Sequence, residues 1–82
     1  MMKPTIHLNG TSASALVYGY VAAMLAVEAA IDKVAQASPN GRDYYPQGDD
    51  AFAKARAEHN ARLQAMGNVA NELRRLAEHC DR

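Results

Sequence analysis

Val17, Met24 and Ile31 recur at intervals of seven residues, and so do Tyr20, Val27 and Val34. Two apolar rows at that spacing are the seam of a helix that packs along its length on another helix. No proline interrupts the stretch from Thr11 to Ala37, and alanine, the strongest helix former, fills many positions. Asn9-Gly10 turns the chain ahead of it, and Thr11 or Ser12 can accept a hydrogen bond from a free amide of the first turn. The spacing therefore predicts a first helix over 11–37.

That helix is more apolar than one partner can cover. Leu16, Ala23 and Ala30 form a further row, Val21 and Leu25 widen it, and the only charges are Glu28, Asp32 and Lys33. Enclosure on several sides implies a dimer or larger bundle. Chain length points the same way, since 82 residues bury only about 60% of the surface that the unfolded chain exposes. Cys80 is the only cysteine, so no disulfide within the chain can compensate, and no Cys/His spacing fits a metal site.

Ser38-Pro39-Asn40-Gly41 ends the first helix, because proline cannot continue it and Asn-Gly favours a turn. The connection runs over 38–48. A second helix follows over 49–79, with Asp49 or Asp50 as its cap. Its seven-residue row is Phe52, His59, Met66, Leu73 and Cys80, flanked by Leu63, Ala70 and Ala77. Residues 1–82 thus read as one all-α domain, a long antiparallel two-helix hairpin assembled into a dimeric or higher-order bundle. Each helix is expected to be about 40 Å long, so that the two match end to end. Ahead of them Thr5-Ile6-His7-Leu8 alternates polar and apolar residues and reads as a short strand or extended segment over 5–8.

Nine basic residues balance nine acidic ones, so no overall field attracts nucleic acid. The charge-free run Ala13–Val27 is expected to fall short of the roughly 20 apolar residues of a membrane span. A soluble cytoplasmic protein is expected, without membrane, metal or cofactor. No nucleophile–base pair or paired carboxylates stand out, which predicts a binding protein and not an enzyme.

Two places depart from packing alone. Extending the flanking row of the second helix back by one heptad lands on Arg56, so Arg56 and His59 project from the inward stripe. Arg56 can snorkel to water while His59 satisfies a backbone group, or the two can line a pocket for an acidic partner or an anion. In a level hairpin Asp32 would stand opposite Arg56. The connection is also about twice the 2 to 5 residues that a helical hairpin needs. Tyr44 and Tyr45 offer flat faces for a base, and Arg42 a planar fork for phosphate. Alternatively the tyrosines plug the end of the bundle and Arg42 pairs with Asp43 or Asp49. Asp43, Asp49 and Asp50 would repel phosphate; Asn9, Gly10 and Thr11, at the start of the first helix, provide an anion cradle free of acidic neighbours. Tyr18 and Tyr20 read as packing and interface residues.

The segments Thr5-Ile6-His7-Leu8-Asn9-Gly10-Thr11-Ser12 and Pro39-Asn40-Gly41-Arg42-Asp43-Tyr44-Tyr45-Pro46-Gln47-Gly48, with Ala51-Phe52, Glu58-His59 and Arg62-Leu63, resemble small proteins of bacteriophages and prophages. That group is similar to the anti-Thoeris sponge proteins of phages, whose better-known members are longer. The resemblance implies a helical-bundle homo-oligomer, a dimer or a hexamer, that sequesters a cyclic ADP-ribose isomer or a cyclic oligonucleotide in the infected host's cytoplasm without cleaving it. It also implies an aromatic face for the base and arginines for the phosphates. Tyr44, Tyr45 or Phe52 are available for the first role, and Arg42, Arg56, His59 and Arg62 for the second. A phage accessory protein that acts by docking on another protein, or a structural oligomer, are the competing readings.

Overall fold

The computed structural model describes residues 1–81. It is all-helical, with two long helices packed against each other: α1, Ala13–Gln36, and α2, Ala51–Cys80. Both lie within about two residues of the expected limits. Ser12 begins α1 in an extended conformation, and its hydroxyl accepts the Ala15 N–H at 3.2 Å, which satisfies one of the four free amides of the first turn. At the other end the Ser38 hydroxyl donates to the Ala35 carbonyl at 2.6 Å, and Pro39 stops the helix.

The connection is ordered by local bonds. Asn40 Oδ1 accepts the Arg42 N–H at 3.1 Å and starts a 3-10 turn over Gly41–Asp43. A second turn, Tyr45–Gln47, has Pro46 in its first positions, where a missing N–H costs nothing. Gly48 then takes φ +119°, a left-handed conformation that suits glycine. Asp50 occupies the position before α2, but its carboxylate caps nothing. Its backbone is already helical there, and the side chain turns outward to Lys54 at 3.2 Å. The expected aspartate cap is therefore absent.

Among the described residues there is no strand. Thr5–His7 has no regular structure, because no second strand is present to pair with it. The segment is held instead by a hydrogen bond from His79 Nε2 to the Pro4 carbonyl at 2.8 Å, and by a turn that closes from Gly10 N–H to the His7 carbonyl at 3.1 Å.

The rods are not matched end to end, as the sequence suggested. At about 1.5 Å per residue α1 is about 36 Å long and α2 about 45 Å. A level hairpin would place Glu28 beside His59, yet Glu28 pairs with Arg74 at 3.5 Å, about 22 Å further along α2. Two extended side chains reaching between adjacent helices span only part of that distance, so the helices are offset. α2 ends beside the middle of α1's first half, where Cys80 and Asp81 share a groove with Val17, Tyr18, Val21 and Leu25. At the loop end, the connection folds back over the first turns of α2. A Cβ built on Gly41 would lie 3.7 Å from the Phe52 ring. The result is a rod of 61 × 20 × 17 Å with a radius of gyration of 18.3 Å, against about 12 Å for a globular chain of this length.

The seam follows the heptads. Val17, Tyr20, Met24, Val27, Ile31 and Val34 are all half-buried, and Ala70 and Ala77 on α2 are fully buried. No residue of α1 is fully buried. One partner helix covers one side of it, and the remaining apolar rows face outward.

Candidate functional site

The expected site residues divide between the two ends of the rod. Arg42, Tyr44, Tyr45, Phe52, Arg56, His59 and Arg62 lie on the connection and the opening turns of α2, whereas Asn9, Gly10 and Thr11 lie just ahead of α1, at the far end. Within one chain the two groups cannot form one site. Asn9, Gly10 and Thr11 are exposed, and the His7 imidazole folds over Gly10, where an added Cβ would stand 2.7 Å from His7 Nε2.

At the loop end, the position of Arg56 differs from the sequence expectation. Its side chain is exposed and lies over the Phe52 ring, 5.4 Å from the centroid, a cation–π distance. One turn of helix separates the two residues, so the guanidinium covers the ring and does not enter the seam. Asp32 is also exposed, and among the described residues it makes no ion pair with Arg56. The offset of the helices puts it out of register. Arg42 is exposed and makes no ion pair with Asp43 or Asp49 among the described residues.

Phe52, half-buried between the Gly41 backbone and the Arg56 guanidinium, is a support for the loop more than an open stacking face. Tyr44 is half-buried against the loop, while Tyr45 is 76% exposed. Of the three aromatic residues, Tyr45 presents the free face.

His59 does point inward, and it is 5% exposed. Arg62, one turn on, places Nη1 3.4 Å from His59 Nδ1. Arginine can only donate, so Nδ1 is the acceptor and the proton of the neutral ring sits on Nε2. That Nε2–H is buried and meets no acceptor among the described residues. A buried donor without a partner costs about 1–3 kcal/mol. The heptad pattern identified the position, but the missing acceptor was visible only once the fold placed the ring.

A second feature went unread in the sequence. The offset leaves an open groove of about 700 Å³ along the first half of α1, closed at one end by Cys80 and Asp81. Its walls are apolar, and it lies at the opposite end of the rod from His59.

The fold and its two surfaces define a helical hairpin with a polar, aromatic end, where Arg42, Lys54, Arg56 and Arg62 are balanced by Asp43, Asp49, Asp50 and Glu58, and an apolar end. Comparison with protein-family models, curated proteins and solved structures gives no match.

Proposed function

We propose that the protein is a binding protein that withholds a nucleotide second messenger, a cyclic ADP-ribose isomer or a cyclic oligonucleotide, without cleaving it. The observation that carries this reading is the buried Nε2–H of His59, a preorganised donor lacking an acceptor and set beside Arg62. A phosphate oxygen is a strong acceptor and would satisfy it once the side chains that close over the ring move aside to admit it. The exposed guanidiniums of Arg42, Arg56 and Arg62 and the free face of Tyr45 belong to the same end of the rod. They supply the charge and the stacking surface that a nucleotide needs. Sequestration asks for affinity and a fixed shape, not for chemistry. The resemblance of the loop and of the opening turns of α2 to small phage and prophage proteins, a group similar to the phage sponge proteins, supports the same reading.

Isothermal titration with a cyclic ADP-ribose isomer, and separately with a cyclic dinucleotide and a cyclic trinucleotide, tests it. Saturable heat with at least one of them, recovery of the ligand unchanged, and loss of the heat in Tyr45→Ala and Arg62→Ala are expected. Absence of heat with all three at tens of micromolar protein would overturn the proposal.

A further inference from the structure

The chain exposes 6099 Å², whereas a folded monomer of 8.9 kDa exposes about 4,800 Å². The excess, about 1,300 Å², exceeds the roughly 800 Å² that each partner buries in a standard protein–protein interface. Much apolar surface on α1 is open: Tyr18 is 77% exposed and Leu25 57%. These two residues belong to a second heptad seam. Ala15, Ala22 and Ala29 alternate with Tyr18 and Leu25, all are exposed, and no charge appears on that line before Asp32. The seam lies on the side of α1 turned away from α2, and the groove beside Cys80 opens onto it.

We infer that this face seats a second copy of the chain, with the two α1 helices antiparallel about a two-fold axis between Ala22 and Leu25. The alternation fits its own inverse. When such a seam meets itself reversed about that axis, each Leu25 falls opposite Ala22 of the partner and each Tyr18 opposite Ala29 of the partner, so large side chains enter the space left by small ones. The groove, about 700 Å³, has room for several side chains of the partner. Offset helices make the fit possible, since α2 ends before it could cover the start of α1. This inference is independent of the nucleotide reading, because it uses the opposite end of the rod.

The mass of the purified chain, measured by light scattering after size exclusion, is expected to be an even multiple of 8.9 kDa, at least a dimer. Ala22→Glu places two like charges beside the axis, each against the partner's Leu25, and is expected to halve the mass while circular dichroism retains a helical signal. Ala61→Glu, on an exposed position of α2, is expected to leave the mass unchanged. In a Cys80→Ala background, Ala22→Cys is expected to give covalent dimers with a short bis-maleimide. A monomeric wild type, an assembly indifferent to Ala22→Glu, or an assembly that does not cross-link at Ala22→Cys overturns the inference. Flotation with phosphatidylcholine–phosphatidylglycerol vesicles supplies the remaining arm. The charge-free run Ala13–Val27 alone falls short of a membrane span, but the whole of α1 is long and apolar enough, by length and composition, to cross a bilayer; wild-type protein that floats with the vesicles, where the Ala22→Glu variant does not, would assign the face to lipid and overturn the dimer.

Discussion

Arg62 stands 3.4 Å from Nδ1 of His59, and because the guanidinium has no lone pair to offer, it fixes the ring's proton on the buried Nε2. Replacing the ring by an apolar side chain removes an unsatisfied donor. His59→Leu is therefore expected to leave the free protein as stable as wild type or up to about 2 kcal/mol more stable, while abolishing nucleotide heat. Urea denaturation at fixed protein concentration checks the first part. A loss above about 2 kcal/mol would mean that the imidazole is already satisfied.

The two helix starts predict a contrast. Ser12 caps α1 through a bond to the Ala15 amide, so Ser12→Ala is expected to cost about 1 kcal/mol. Asp50 makes no capping bond, and its pair with Lys54 is largely exposed, so Asp50→Asn is expected to change stability by less than about 0.5 kcal/mol. Thermal melts of the two variants side by side give the comparison.

Gly48 and Gly67 respond to a methyl group in opposite senses. At Gly48 the nearest atom to an added Cβ is 4.0 Å away, so space is not the issue, but φ +119° is. Gly48→Ala is expected to cost about 1–3 kcal/mol. Gly67 lies inside α2 with nothing within 4 Å of an added Cβ, and Gly67→Ala is expected to add about 0.5–1 kcal/mol. Denaturation midpoints with unchanged slope would report both.

His79 ties the N-terminal segment to the end of α2 through the Pro4 carbonyl. His79→Ala is expected to speed amide exchange in residues 5–10 severalfold and to leave exchange in Met66–Leu73 unaltered. Equal acceleration in both regions would show that the imidazole supports the hairpin as a whole.

Periodicity made the two helices legible because packing repeats every turn and leaves a trace in every heptad. Val17, Met24 and Ile31 could be read as seam residues without knowing what they touch, and His59 could be read as inward for the same reason. Register leaves no such trace. Nothing in the row Phe52–Cys80 says which of its residues meets Glu28, so the level hairpin, with Asp32 beside Arg56, was the default and was wrong. Arg56 misled for a related reason: a heptad row continued past the end of α1 no longer has a partner helix to face. The strand reading of Thr5–Leu8 failed because alternation describes one strand, while pairing needs another. In the sequence Leu25 reads only as apolar excess, and Tyr18 as a packing and interface residue with nothing to say what it meets. Their alternation with Ala15, Ala22 and Ala29 gained meaning once α2 was seen to cover the other side.

The bond between His79 and Pro4 holds the beginning and the end of the folded chain a few ångströms apart. A circular permutant that joins residues 4 and 81 through a brief linker and opens at Gly48 would keep both rods intact and free the connection at its tip. In such a molecule the loop end of the rod could be lengthened, labelled or grafted with a foreign loop, and the apolar end would not be disturbed.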